Sequence, residues 1–232
     1  MKNRKTLIQE KQYKESKRGD INKIRQFLDK YSTYREDKAL DLLRAGNKVL
    51  DIGCGDGLLL AKLSSKYKSL WGLDISQSRL KRAKENLFKK GLFGKSHMIA
   101  ADFDEKLPFR SCFFDSVVCI ATLETSIDPY HLLHEINRIM LSGGILIIQV
   151  SNMAFFPRRI SLMLGRMPKT WEAEGLWNGG ALHYFTKSSL KDLLQESGFM
   201  VTTIKCTGFL SNIRNFWVSL LGADIIIKAI KK

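Results

Sequence analysis

The stretch Val49-Leu50-Asp51-Ile52-Gly53-Cys54-Gly55-Asp56-Gly57, running on into Leu58-Leu59-Leu60, decides the fold. It reads as a short buried strand, then a glycine-dense turn, then the opening of an apolar helix. Glycine has no Cβ, so the backbone at 53, 55 and 57 can turn sharply and let a ligand lie directly against it. A strand-to-helix turn at the carboxyl end of a buried strand is where open α/β sheets bind nucleotide-like molecules. The dinucleotide fingerprint G-x-G-x-x-G does not fit, because the third glycine comes one position early and Leu58 stands where that pattern has glycine.

Downstream, Leu58 to Tyr67 reads as a helix, and Ser69 to Asp74 as a second strand that ends in a carboxylate. Asp74 lies about 20 residues past the glycines, where an acid can reach the ribose of a nucleoside. An ionised carboxylate only accepts hydrogen bonds, and two adjacent hydroxyls offer it two donors. Asp74 is therefore the expected ribose clamp, with Ile75 beside it pressing on the base. Ser76 caps a third helix carrying Leu80, Ala83 and Leu87 and ending near Gly91. A strand around His97 to Ala100 follows, with His97 read as an ordinary strand-end residue. Phe113 to Ile120 is the next strand, and Asp128-Pro129 opens a helix with Leu132, Leu133, Ile136, Ile139 and Met140. Ser142-Gly143-Gly144 then turns into the buried strand Ile145 to Val150. Strands alternating with helices argue for a parallel sheet, and nothing repeats at a fixed period.

The run Asp51 to Gly57 resembles motif I of the class I S-adenosylmethionine (SAM)-dependent methyltransferases, D-x-G-x-G-x-G. Leu107-Pro108-Phe109 with Phe114-Asp115-Ser116-Val117 resembles that superfamily's L-P-F…F-D-x-V segment, and His134 to Gly144 its E-x-x-R-x-L-x-x-G-G stretch. The resemblance covers roughly Lys48 to Lys228. It implies an α/β, Rossmann-like, doubly wound sheet of seven mostly parallel strands, the last one antiparallel between the fifth and sixth. It implies SAM as cofactor, held by Asp51, Gly53, Cys54, Gly55 and Gly57, by Asp74 and Ile75, and by the end of the fourth strand at Ala121. Asp102 would accept from the adenine amino group and Phe103 would stack on the ring. Ala121-Thr122-Leu123-Glu124-Thr125 would face the transferred methyl; many relatives have L-E-H there, and this chain has Thr125 in place of the histidine.

Residues 1–19 are rich in charge and low in apolar content and read as a flexible basic terminus. Residues 20–232 read as a single domain. From Asp20 to Ala45 helical spacing predicts two helices separated by Tyr31-Ser32-Thr33-Tyr34-Arg35. By the resemblance, 20–46 is a cap folded over the cofactor. Residues 151–185 break the rhythm, with Phe155, Phe156, Trp171, Trp177 and His183-Tyr184-Phe185, and are assigned as an acceptor-side lid. An amphipathic helix resting on the core or on a lipid surface is the other reading of Phe155 to Leu164. The P-x-R, G-R-M-P and H-x-F-T elements resemble the MetW-like branch, associated with methionine biosynthesis. Thr186 caps a helix closed by Gly198, Phe199 to Ile204 is the sixth strand, and Ala223 to Ile230 the last, with Leu210 to Gly222 connecting them.

A chain of 232 residues with 44% hydrophobic and 26% charged content has the size and composition of one globular unit. No apolar run is long enough to cross a bilayer, and the amino terminus lacks the apolar core of a secretory signal. The cysteines at 54, 112, 119 and 206 are scattered, which argues against zinc and a disulfide framework. The expected location is cytoplasmic. The net charge of +15 is spread along the chain and suits either a solvated lysine-rich surface or an anionic partner.

The expected function is methyl transfer from SAM to a small-molecule or lipid-like acceptor, on oxygen, with Glu124, His183 and Tyr184 as the candidate bases. The chain has no N-P-P-[FYW] motif and no P-C nucleophile, which argues against methylation of DNA bases. The competing readings are an RNA or other nucleic-acid methyltransferase, a MetW-like SAM-binding partner of an acyltransferase, and a nicotinamide dehydrogenase. The oligomeric state is open.

Overall fold

The computed structural model describes residues 32–168 and 181–232. Tyr31, Trp171, Trp177 and the first of the two expected cap helices lie outside the described residues. Nine strands are present among them: β1 (Ser32–Thr33), β2 (Gly46–Ile52), β3 (Tyr67–Asp74), β4 (Ser96–Ala100), β5 (Phe114–Ile120), β6 (Met140–Ser151), β7 (Phe199–Lys205), β8 (Gly208–Phe209) and β9 (Asp224–Lys231). The helices are α1 (Arg35–Leu42), α2 (Leu58–Leu63), α3 (Gln77–Lys89), α4 (Pro129–Ile139), α5 (Phe156–Met163), α6 (Lys187–Glu196), α7 (Ser211–Arg214) and α8 (Val218–Leu221).

Seven strands form one sheet in the order β4-β3-β2-β5-β6-β9-β7. Pairing is parallel from β4 through β6, and β9 is antiparallel to both β6 and β7. This is the doubly wound, Rossmann-like α/β sheet expected, with its last strand inserted antiparallel. Alternation along each strand feeds two cores. Leu50, Ile52, Val117, Cys119, Leu146 and Ile148 face one, under α4 and α6, while Val49, Val118, Ile145 and Ile147 face the other, under α1, α2 and α3.

The caps follow their residue chemistry. The Ser76 hydroxyl accepts from Arg79 N–H, the Asp128 carboxylate from His131 N–H at 3.1 Å, and Thr186 and Ser189 close a reciprocal capping box.

Four local expectations are corrected. Ser32–Thr33 is a strand rather than an interhelical link. It pairs antiparallel with Gly208–Phe209, a partner so distant in sequence that local periodicity carries no trace of it. Helix α1 ends at Leu42, not Ala45, because β2 already begins at Gly46. Helix α2 stops at Leu63 rather than continuing to Tyr67. Ser64 Oγ donates back to Ala61 O, and Tyr67 has joined the sheet with its hydroxyl 2.8 Å from Ser116 Oγ. Gly143–Gly144 does not separate a helix from a new strand. Strand β6 runs from Met140, and between the pairs Phe114–Met140 and Ser116–Ile145 it bulges, with Gly143 at φ 72°.

Candidate active site

The carboxyl ends of β2, β3 and β5 meet at the glycine turn. Gly53 and Cys54 N–H both donate to Leu73 O, at 2.8 and 3.1 Å, so the turn is tied to the end of β3. Gly53 has φ 74°, and a Cβ there would fall 2.3 Å from Thr122 Oγ1. That hydroxyl reaches Ile52 O and Ile120 O, each at 3.1 Å, and so fastens the tip of β5 to the tip of β2. Ala121, between those groups, holds φ 52°, a left-handed conformation unusual for a residue with a Cβ and of the kind stored at functional sites. Gly57, also at φ 74°, caps α2 and packs against Ala83 of α3.

Asp74 is only 4% exposed. One carboxylate oxygen accepts from Gly55 N–H at 3.0 Å and the other from Ser76 N–H at 2.8 Å, so the acid bridges the glycine turn to the start of α3. Burial pushes its pKa up, opposed by the Ser76 bond, the Arg79 charge and the Gly55 bond. Each oxygen retains lone-pair capacity, enough to accept two hydroxyl donors.

Asp51 is 3% exposed, and no described residue gives its carboxylate a hydrogen bond. Burial, with Asp74 and Glu36 nearby, pushes its carboxyl up to about 8. On the same face of the sheet, at the tip of β6, Gln149 Oε1 is buried without a partner among the described residues. Above this face lies α1, whose Arg35 and Glu36 are 3.4 Å apart at its amino end. An unpaired buried acid and an unpaired carbonyl are the environment a ligand cation relieves.

The other expected cofactor residues occupy the same rim. The Cys54 thiol is buried and held well above its ordinary pKa, and Ile75 is half-buried beside Asp74. Asp102 Oδ1 accepts from Asp104 N–H at 3.1 Å, and Asp104 in turn accepts from Ile127 N–H at 2.8 Å, joining the loops after β4 and β5. Phe103 packs into the core that contains Leu107 and Leu123.

Of the candidate bases, Glu124 is buried, with its carboxylate accepting from Ser151 N–H at 2.9 Å. Burial raises its pKa, opposed by Ser151 and by Arg158 and Arg35. Its carbonyl accepts from Leu182 N–H and His183 N–H, at 2.8 and 3.1 Å, so Glu124 ties the β5 tip to β6 and to the chain entering α6. His183 Nε2 is 3.1 Å from Ile127 O, and Tyr184 is half-buried beside it. His97 stacks on Trp71 at 4.2 Å over the edge strand, beside a cavity of about 370 Å³ also lined by Lys84, Leu87 and Phe93. That cavity lies along β4 and α3 and contains none of the expected site residues.

Sequence reasoning missed Arg79 and Asn152, and gave Thr122 no part in fastening β5 to β2. Arg79 lies over Gly55, where a Cβ would meet its Nη2 at 2.5 Å, and its Nε is 3.6 Å from Asp56. Its position three residues after the Ser76 cap, and so facing back over the turn, was the available signal. Asn152 is fully buried, with Nδ2 donating to Val218, Ser219 and Gly222 carbonyls, and no pattern announces it.

Residues 50–148 match the family described as methyltransferase domain. A ubiquinone biosynthesis O-methyltransferase of Pseudomonas aeruginosa is 31% identical over 109 residues, 47% of this chain and 46% of that protein. A bifunctional methionine biosynthesis protein MetXA/MetW of Rhodopirellula baltica is 31% identical over 173 residues, 72% of this chain and 27% of that protein. The chain carries a methyltransferase domain with the fold of the class I SAM-dependent methyltransferases. An S-adenosylmethionine dependent methyltransferase from Mesorhizobium loti shares the fold, with a TM-score of 0.65 at 16% identity over 84% of this chain and 96% of that one. The chain spans a little under half the length of the curated O-methyltransferases it matches. For a class I methyltransferase the cofactor is SAM, and the rim fits it. Glycine backbone, an acid with spare acceptor capacity and a buried acid without a partner are the groups that an adenosyl sulfonium bearing an ammonium requires. Among the described residues no group of His, Cys, Asp and Glu could hold a metal ion, and no helix is long and apolar enough to cross a membrane.

Proposed function

We propose that this methyltransferase moves the methyl group of SAM to a small-molecule or lipid-like acceptor, on oxygen. The observation that carries the donor half is Asp74, buried at the tip of β3 and bonded to both Gly55 and Ser76. Support for the acceptor class comes from the O-methyltransferase relatives and from the apolar residues of the lid.

Bound SAM supplies an electrophilic methyl group and a neutral thioether leaving group. Asp74 would accept from the ribose hydroxyls and Asp102 from the adenine amino group. Ile75 and Phe103 would line the base, with Cys54 and the glycines forming the bed. Asp51 would pair, ionised, with the ammonium of the amino-acid tail. Ala121 would line the methyl-donor end of the site. On the acceptor side, a neutral His183 that donates from Nε2 to Ile127 O keeps Nδ1 as its basic nitrogen and can take the hydroxyl proton. Tyr184 stands beside it as the second candidate. Glu124, with its carboxylate on Ser151 and its carbonyl on the His183 segment, is a positioning residue in this reading. The described parts of the two segments, 151–168 with 181–185 and 32–46, are the acceptor-side lid and the donor-side cap in this reading. Alignment and exclusion of water then do most of the catalytic work.

Calorimetry with SAM, followed by labelled-methyl transfer to fractionated acceptor pools, tests both halves. Micromolar SAM binding with label appearing in an ether or ester product is expected. NADH binding without SAM binding would overturn the reading. One specific observation favours a second role. The MetXA/MetW likeness extends over 72% of the chain, which suits a SAM-binding partner of an acyltransferase. SAM binding with no methyl product, together with co-purification of such an enzyme, would select that role.

A further inference from the structure

Helix α5 buries none of its eight residues, although Phe156, Ile160, Leu162 and Met163 are apolar. Met163 is 85% exposed. A second exposed apolar group, Ile213, Phe216 and Trp217, lies in the connection between β8 and β9, with Phe216 at 92% exposure. The two groups are neighbours. The Arg158 and Arg214 guanidinium groups stand 5.9 and 5.1 Å from the Phe155 ring, which joins the start of α5 to α7. Arg158 also donates to Asn152 O and Ala223 O, both at 2.7 Å, which fixes α5 against the end of β6 and the start of β9. Both groups therefore stand at the carboxyl edge of the sheet, the edge that carries the candidate active site.

The charge within these two segments has one sign. Residues 153–168 contain Arg158, Arg159 and Arg166 and no acid, and residues 205–222 contain Lys205 and Arg214 and no acid. Arg159, Arg166 and Lys205 are exposed. Exposed apolar and aromatic side chains beside the exposed Arg159, Arg166 and Lys205 complement an anionic lipid surface. The apolar groups enter the acyl boundary while the guanidiniums meet the phosphates.

We propose that α5 and the 209–217 segment together form a docking surface for anionic membranes. The surface places the acceptor side of the active site against the bilayer, where a lipid-like acceptor resides. The proposal goes beyond methyl transfer and does not depend on it, since docking is measured without SAM.

Co-sedimentation of the full chain with vesicles of equal parts phosphatidylglycerol and phosphatidylcholine tests it, against vesicles of phosphatidylcholine alone. The chain is expected to partition at least tenfold better onto the anionic vesicles, and the partition to fall as salt rises. The pair Met163→Ser with Phe216→Ser, and separately the pair Arg159→Glu with Arg166→Glu, should each lower partition at least tenfold with the melting temperature unchanged. These side chains are exposed, so folding should survive their replacement, and an unchanged melt verifies it. Equal binding to neutral vesicles, undiminished partition of both pairs, or a chain that stays in the supernatant would each overturn the proposal. So would a concentration-dependent dimer in ultracentrifugation that Phe216→Ser dissolves, or RNA binding in place of vesicle binding. SAM affinity, measured separately, reports on the methyltransferase reading whichever way the vesicle experiment falls.

Discussion

The two halves of the sheet's carboxyl edge are built in opposite ways. The donor half, at the tips of β2 and β3, is made of backbone and buried acids. Gly53 and Cys54 N–H bond Leu73 O, Asp74 holds Gly55 and Ser76, and each group has little freedom. The acceptor half, around α5, displays long side chains and buries none of that helix, although α4 on the same strand's other end buries Leu132, Leu133, Ile136 and Ile139. The difference suits the two tasks. In the proposed reading one half fixes an invariant molecule, which preorganised backbone does well; the other admits a variable one, which flexible side chains do well.

Gly53→Ala breaks the comparison hardest. The substitution places a Cβ at φ 74° and 2.3 Å from Thr122 Oγ1, a hydroxyl already committed to Ile52 O and Ile120 O. The left-handed conformation alone costs roughly 1–2 kcal/mol, and displacing Thr122 unfastens β5 from β2. SAM affinity should fall by about two orders of magnitude, roughly 2.7 kcal/mol, as calorimetry would show, together with a lower melting temperature. An unaltered titration would mean that the glycine bed does not carry the cofactor.

Next in size is Asp74→Ala. Loss of the acceptor removes the ribose contacts and frees Gly55 N–H, and SAM binding should weaken by more than tenfold, about 1.4 kcal/mol or more. Asp74→Asn keeps an acceptor for one of the two backbone groups and should fall between the alanine variant and the parent. Unchanged affinity in the alanine variant would remove the clamp assignment.

Asp51 gives a subtler effect, visible in pH. Its pKa in the folded chain is about 8 against an ordinary 3.8, so the folded state binds the proton that the unfolded state releases. Stability from this group is therefore present at low pH and declines as pH rises from about 4 to about 8. A ligand ammonium favours the ionised form, so SAM affinity should rise over the same window and binding at pH 7 should release a proton. Calorimetry in two buffers of different ionisation enthalpy measures that proton directly. Asp51→Asn should abolish the release and flatten the melting temperature against pH; a proton count unchanged by the variant would exclude Asp51 as its source.

These contrasts also mark what the sequence made legible. The donor half was readable because its signals are local: a strand, three glycines at fixed spacing, and an acid at the end of the next strand. Asp74 follows from that spacing alone. The ionisation state of Asp51 does not, because it depends on Glu36 of α1 and on burial under a helix that packs from elsewhere in the chain. The β1–β8 pair and the threefold anchoring of Asn152 Nδ2 are likewise long-range, joining residues 66 or more apart. The bulge at Gly143 was hidden because Ser-Gly-Gly has the same composition in a turn and in a bulged strand. In the lid, the periodicity of Phe155 to Leu164 gave the helix but could not say whether its apolar side is covered, since amphipathicity specifies a face and not what meets it.

The smallest expected effect makes the control that sharpens the contrast. Gly165, just past α5, has φ 68°, close to the value at Gly53, yet a Cβ built there meets nothing within 4 Å. Gly165→Ala therefore carries the backbone strain of Gly53→Ala without the collision and without disturbing the β2–β5 fastening. About 1 kcal/mol of strain corresponds to a melting shift of roughly 2–4 °C in a chain of this size, and SAM affinity should stay within a factor of two. If the two alanine variants lost SAM binding equally, left-handed strain anywhere on this edge would be enough to disable it. The distinction between a rigid donor half and a permissive acceptor half would then be wrong. If only the Gly53 variant loses it, the loss belongs to Thr122 and to the junction of β2 with β5.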